Sequence, residues 1–406
     1  MQDWEISATV KDLSLRALSG YEETLGAKQM STLNPVRGLV DSEQGKLLEV
    51  EKICMGPLSG YEDALESNQT STLRAINNLG IRYSEQGNLK EAEEMFTQAL
   101  RGYKKVFGAK HASTLDVVNN LGNIYRDQGK LLKAKAMYMR ARKGYKEVLG
   151  AKHVSTLLTL NNLGSLYSER GKPKKAEEMY MRTLKGREEA LGASHTSTLD
   201  AVYCLGILYM EQGKLDEAEE MNTRALKGYK EALGANHTST LDIVHCLGIL
   251  YMEQGKLDEA EEMNTRAFEG YEEALGANHT STLDAVYSLG ILYRNQGKLD
   301  DAEDMFTQAL KGYKEALGVN HKSTLDAFHC LGILYMEQGK LLEAEEMHVR
   351  ALRGYENALG SKHTSALLAT NNLAKLYRKQ GKLKEAEVMF MQARLLKVTI
   401  KLASLF

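Results

Sequence analysis

One histidine returns every 42 residues, each time in a short segment of the form Leu-Gly-x-x-His. Imidazole can bind metals or transfer protons, so the row raises the question of a chemical site. A metal site needs several ligands within about 2–2.5 Å of one ion, whereas stacked helical layers are about 10 Å apart. We therefore expect no metal site and no cofactor, and instead histidines that pack or hydrogen-bond where repeats join. The histidines are His111, His153, His195, His237, His279, His321 and His363.

Other residue types that could do chemistry lack the necessary neighbours. Gly213-Lys214 is followed by leucine, whereas a phosphate-binding loop needs Ser or Thr after the lysine. Cys204 and Cys246 share one repeat position and lie a repeat apart, too far for a disulfide, so we expect small buried or groove-lining side chains. No serine, histidine and carboxylate arrangement stands out from the repeats. The sequence therefore predicts a protein without catalytic residues.

Composition limits the class of protein. The 406 residues are 26% charged with a formal charge of −2, which gives no sign of the basic surface of a nucleic-acid binder. No apolar run approaches the roughly 18–20 residues that span a membrane, and the N-terminus has no secretory signal pattern. We expect a cytoplasmic protein.

The 42-residue period contains two helices. Leu199, Val202 and Leu205 recur at spacings of three and four, which is typical of one helix face. Ser197 is the expected N-cap, with Asp200 completing a variant capping box, and glycines 213 and 234 are expected to end the two helices. Small residues are expected where the helices approach closely: Gly206, Ala218 and Ala225. Such a pair cannot bury both apolar faces alone, so the sequence predicts an all-α fold, an α-solenoid.

The pattern resembles a known family. Leu205-Gly206, Tyr209, Ala218 and Ala225 match the spacing of tetratricopeptide repeats. The 42-residue period, the Asn-Asn-Leu-Gly segments and the Leu-Gly-x-x-His joint resemble the repeats of kinesin light chains. Near-identical repeats are also similar to the C-terminal arrays of fungal NLR-like proteins. The resemblance implies a right-handed superhelix of antiparallel helix pairs.

The regularity varies along the chain. Residues 67–396 hold eight regular repeats, whereas 1–66 are degenerate, with Pro57 inside an expected helix at a cost of about 3 kcal/mol. Because the chain starts inside a repeat, we expect 1–66 to be truncated repeats and the chain to be a piece of a longer protein. Residues 397–406 depart from the repeat and are expected to form a tail.

The resemblance implies that the first helices line a peptide-binding groove. Four asparagine amides would hold the backbone of an extended peptide, since an amide both donates and accepts: Asn78, Asn120, Asn162 and Asn372. The other predicted groove positions form a stripe of Tyr, His, Ile and Met side chains with carboxylates along its edges and one arginine. They are Asp200, Tyr203, Ile207, Met210, Asp242, His245, Ile249, Met252, Asp284, Tyr287, Arg294, Asp326 and His329. Such a stripe favours apolar ligands with basic residues. The alternative is that the aspartates only cap helices and the nearby glutamates are solvated.

The sequence thus predicts a non-catalytic scaffold that binds a protein or peptide segment in this groove, with no nucleic-acid or membrane partner. Two alternatives stay open. The array could regulate a larger NLR-like ATPase whose nucleotide-binding domain lies upstream, or the chain could self-associate through an N-terminal end without a cap.

Overall fold

The computed structural model describes residues 66–361 and 363–403, and these form two compact units, residues 66–186 and 187–403. The described residues contain sixteen α-helices and no strand. In chain order the helices are α1 Glu66–Glu85, α2 Leu89–Phe107, α3 Ala112–Asp127, α4 Leu131–Val148, α5 Val154–Glu169, α6 Pro173–Leu191, α7 Thr196–Glu211, α8 Leu215–Leu233, α9 Thr238–Glu253, α10 Leu257–Leu275, α11 Thr280–Asn295, α12 Leu299–Ala316, α13 Lys322–Glu337, α14 Leu341–Leu359, α15 Thr364–Lys379 and α16 Leu383–Ala403.

Within each unit, odd-numbered helices are the first helix of a repeat and even-numbered helices the second. A second helix packs both on its own first helix and on the first helix of the next repeat, as α8 does on α7 and α9. This is the predicted all-α solenoid of helix pairs. The prediction for 1–66 lies outside the described residues apart from Glu66, and α16 continues through 397–403.

Glycines end the helices at the predicted places. Gly213, just after α7, has φ of 69°, and Gly234, just after α8, has φ of 95°. Side chains with a Cβ are strained at positive φ. Glycine therefore lets the chain turn into the next helix at both ends of the repeat.

The start of α7 differs from the prediction. His195, not Ser197, is the N-cap of α7, and its Nδ1 accepts a hydrogen bond from the backbone N–H of Ser197. The Thr198 hydroxyl donates to the carbonyl of Gly192 at 2.8 Å, which satisfies a carbonyl at the end of the preceding helix. The predicted capping box is therefore wrong, because the N-cap side chain that accepts a hydrogen bond from the start of the helix is the His195 imidazole and not the Ser197 hydroxyl. The prediction of a hydrogen-bonding joint histidine is confirmed here.

The two helices of a repeat approach closely through small residues, as predicted. A Cβ added to Gly206 would lie 2.1 Å from Asn222 Oδ1, and one added to Gly228 would lie 2.6 Å from a methyl carbon of Leu199. Ala218 and Ala225 are fully buried. Both helices thus contribute small residues to one tight interface.

The apolar core extends from repeat to repeat. One cluster joins Leu283 on α11, Phe306 on α12, Leu325 on α13 and Tyr355 on α14. Fully burying one such side chain stabilises the fold by about 1.5–3 kcal/mol. Because the cluster spans two repeats, each repeat needs its neighbour to complete its core.

Candidate binding groove

First helices of neighbouring repeats lie side by side and present one face of the array. In the second unit α7 contacts α9, α9 contacts α11, α11 contacts α13 and α13 contacts α15. Between α7 and α9 this face forms a cavity of about 350 Å³. Its lining residues are Tyr203, Ile207, Met210, Glu211, Asp242, His245, Cys246, Ile249 and Glu253. Six of the predicted groove residues are thus brought together.

The cavity combines an apolar floor with acidic edges. Ile207 is 36% exposed, and Ile249 and Met210 are half-buried beside it. Glu211 and Glu253 are exposed on the same helices. The arrangement can accept an apolar side chain and attract a neighbouring cation.

Polar groove residues hydrogen-bond to the next repeat, forming a series that we call the inter-repeat ladder. His245 Nε2 lies 2.8 Å from Ser288 Oγ. The Tyr287 hydroxyl lies 2.9 Å from Cys330 Sγ. Tyr203 reaches the carbonyl of Asp242 at 3.5 Å. Burial lowers the pKa of His245, and the negative charges of Asp284 and Asp242 partly oppose that effect.

Two of the three predicted asparagines of the first unit belong to the same ladder. Asn120 Nδ2 donates to Asn77 Oδ1 at 3.5 Å, and Asn162 Nδ2 donates to Asn119 Oδ1 at 3.3 Å. Asn78 is exposed. Each amide can still form further hydrogen bonds, but the ones seen here join repeats.

The predicted aspartates accept hydrogen bonds from tyrosines on their own second helices. Tyr271 donates to Asp242 at 2.5 Å, and Tyr229 donates to Asp200. The same bond joins Tyr313 to Asp284 and Tyr355 to Asp326, each at 2.5 Å. Burial, and then the bond to the aspartate, raises the pKa of Tyr271. Each of these bonds joins the two helices of one repeat.

Other predicted positions lie apart from the cavity. Met252 packs against the core around Leu292. Arg294 forms an ion pair with Glu337 at 3.5 Å. The structure buries His329, whose Nε2 lies 3.1 Å from Asn372 Nδ2. These three side chains therefore make contacts with other residues of the protein.

A second cavity, of about 600 Å³, lies against α13, α15 and α16. It is lined by Asn372 together with three cationic side chains, Lys375, Arg378 and Lys379, and by Glu337. The predicted groove did not include the three cations. The first-helix face of the second unit is therefore acidic at α7 and α9 and basic at α15.

A row of buried polar side chains beneath this face was also missed. Asn222, Asn264 and His348 are fully buried. They occupy the repeat position that Phe306 occupies in another repeat. The Asn222 amide donates to sulfur, 3.6 Å from Cys246 Sγ. Burial lowers the pKa of His348 to about 3. Their spacing of 42 or 84 residues is visible in the sequence, but polar residues between apolar ones gave no reason to expect burial.

Metal-binding and membrane-spanning features are absent from the residues that the structure describes. Residues 66–361 and 363–403 hold no group of three or more His, Cys, Asp or Glu side chains placed to bind a metal ion. None of the sixteen helices combines the length and apolar content of a membrane-spanning segment.

Comparison with known families identifies the repeat. A family model described as tetratricopeptide repeat matches residues 112–189, 239–315 and 323–394, more than half of the chain. A second model of the same description matches 72–113 and 198–239. The chain belongs to the tetratricopeptide repeat family. Tetratricopeptide repeats are protein–protein interaction scaffolds and are generally non-catalytic.

Several solved structures are similar to the chain at low sequence identity. The apo quorum sensor NprR from B. thuringiensis is 14% identical, with a TM-score of 0.60 over 98% of this chain and 99% of that one. A STAND protein with a tetratricopeptide repeat sensor, from Pyrococcus horikoshii, is 13% identical, with a TM-score of 0.55 over 82% of this chain and 48% of that one. A Podospora anserina protein described as a kinesin light chain with nearly identical TPR-like repeats is 26% identical, with a TM-score of 0.45 over 51% of this chain and 98% of that one. No curated protein sequence matched the chain.

Proposed function

We propose that the protein is a non-catalytic, cytoplasmic scaffold whose first-helix face binds an extended segment of a partner protein. The binding site is the cavity between α7 and α9, and the segment presents an apolar side chain flanked by basic residues. The observation that supports this is the exposed Ile207 between the carboxylates of Glu211 and Glu253.

In this proposal apolar contact and charge affect different properties of binding. Burying the exposed part of Ile207 and Ile249 against a ligand side chain contributes about 25 cal/mol per Å² of apolar surface. The two glutamates, with Asp242, favour cationic neighbours and speed association at low salt. Affinity should therefore depend on the isoleucines, and salt dependence on the carboxylates.

A peptide-display selection on the full chain tests the proposal. We expect wild-type protein to enrich basic-apolar peptides, and the double variant Ile207→Ala, Glu253→Lys to bind the enriched peptides at least tenfold more weakly. The matched control is Leu233→Ala, Glu273→Lys, which makes the same charge change and a similar loss of apolar side chain at exposed positions on second helices. No enrichment, or equal loss in both double variants, would overturn the proposal.

The predicted boundaries, with eight regular repeats over 67–396, and self-association through the N-terminal end also stay proposals. So does the alternative that this is a regulatory array of a larger NLR-like ATPase; the STAND structure supports only the shared fold. The ATPase alternative would require a nucleotide-binding domain encoded in the same reading frame that binds this chain. Groove variants would then leave peptide binding unchanged and alter ATP hydrolysis.

A further inference from the structure

A carboxylate joins neighbouring repeats at their turns. Glu219 on α8 accepts hydrogen bonds from Gln254 Nε2 and Lys256 Nζ of the next repeat, both at 2.9 Å. The Gln254 bond, then the Lys256 bond, lowers the pKa of Glu219 against its partial burial, and Tyr251 adds a weaker hydrogen bond from its hydroxyl. We call this arrangement the glutamate clamp.

The same clamp recurs with the same spacing at four other junctions within the two units. Its glutamates are Glu93, Glu261, Glu303 and Glu345, which accept from the lysines Lys130, Lys298, Lys340 and Lys382. Gln and Lys side chains at this place in the repeat therefore hold a carboxylate at five junctions that lie within one unit or the other.

One junction in the first unit has the donors without the carboxylate. Lys135 stands where the clamp has glutamate, and Arg170 stands where it has glutamine, while Lys172 keeps the clamp lysine. Lys135 Nζ and Lys175 Nζ each lie 5.8 Å from the centre of the Tyr167 ring. We call these five residues the junction cluster. In the described part of the chain none of its cations has an ion-pair partner; the neighbouring Glu169 pairs with Arg126 at 3.6 Å.

The surroundings strengthen the positive potential. Helix α6 starts at Pro173, so its positive N-terminal end points to the same turn. Helices α8, α10 and α12 carry acidic residues in their first turns, whereas α6 has none. From residue 128 to 186 the chain has fourteen Lys and Arg against four Asp and Glu. The overall charge of −2 conceals this local excess.

We propose that the junction cluster is a docking site for an acidic segment of a separate partner protein, with a carboxylate of that segment in the place of the missing glutamate. The chain itself shows which anion these donors accommodate, since the equivalent Gln and Lys side chains hold a carboxylate at five other junctions. The site lies at the turns between first and second helices and prefers acidic ligands, so it is independent of the acidic groove at α7 and α9.

Binding of a labelled oligoglutamate peptide to the full chain, followed by fluorescence anisotropy over a salt series, tests the proposal. The decisive variant is Lys135→Glu, Arg170→Gln, which restores the residues of the other junctions. We expect at least tenfold weaker binding, and a melting temperature no lower than that of wild type because the clamp is rebuilt. The control is Lys90→Glu, Arg101→Gln, which makes the same charge change at exposed positions on α2 and should bind nearly as wild type.

The remaining outcomes contradict the proposal. Equal weakening in both double variants would mean that only the net charge matters. A single-stranded DNA oligonucleotide of equal charge that bound more tightly, with loss in the same variant, would assign the cluster to phosphates. Salt-sensitive dimers of wild type, absent in Lys135→Glu, Arg170→Gln, would make a second copy of this chain the occupant.

Discussion

His245 on α9 and Ser288 on α11 are 43 residues apart, and the imidazole Nε2 lies 2.8 Å from the serine hydroxyl. The same separation joins Tyr287 to Cys330. The polar residues that line the first-helix face therefore also hold successive repeats together. Groove shape and array stability are coupled through them.

Breaking one of these bonds should destabilise the array locally. Ser288→Ala removes the buried partner of His245, and a lost hydrogen bond of this kind costs about 1 kcal/mol. Urea unfolding of the full chain measures the loss, with Thr307→Ala, an exposed position on α12, as control. Equal stability of the two variants would show that the bond contributes nothing.

The close approach of Gly206 and Asn222 gives a second prediction. Gly206→Ala would place a Cβ 2.1 Å from Asn222 Oδ1, and overpacking of this type costs about 1–3 kcal/mol. Asn222→Ala removes the clashing amide, so the double variant should recover much of the loss. A double-mutant cycle from thermal and urea unfolding checks this, and additive effects would contradict the steric explanation.

Much of this fold could be predicted from the sequence. Apolar spacing within one unit predicts the two helices, and the glycines at 213 and 234 predict where they end. These features are local, since helix faces and positive φ depend on residues within a few positions. The small residues at 206, 218 and 225 extend the argument to the packing of one pair.

The site was harder to predict because the residues that contact each other lie far apart in the sequence. Groove positions at 203, 207 and 210 follow from the resemblance, but nothing local shows that His245 bonds to Ser288. The aspartates bond to tyrosines 29 residues away, as Asp242 does to Tyr271. The bonded pairs recur at fixed separations: 29 residues for Asp and Tyr, 35 for Glu and Gln, 37 for Glu and Lys, and 43 for the ladder. Comparing residues at these separations along the sequence would have shown that complementary side chains recur there.

The glutamate clamp predicts a pH dependence. The folded-state pKa of Glu219 is lowered, so its contribution to stability is fully present above the unfolded pKa of about 4.3 and is lost as pH falls through the folded value. We expect Glu219→Gln to lower the free energy of unfolding at pH 7 but not near pH 3. Urea unfolding at both values measures this. Glu220→Gln, an exposed neighbour, should show no such change, and a loss for Glu219→Gln that persisted at pH 3 would contradict the assignment.

The joint histidines give the last prediction. His237 Nδ1 accepts from the backbone N–H of Ser239 at 3.1 Å as the N-cap of α9. Replacing a capping side chain by alanine costs about 1 kcal/mol, so His237→Ala should destabilise the array by that amount. His237→Asn keeps an acceptor that can cap a helix and should recover most of it. If the row bound metal instead, Zn²⁺ would raise the melting temperature of wild type, and both substitutions would reduce that shift alike. If the histidine is a structural cap, His237→Asn should keep most of the wild-type stability and His237→Ala should not, and Zn²⁺ should change neither result.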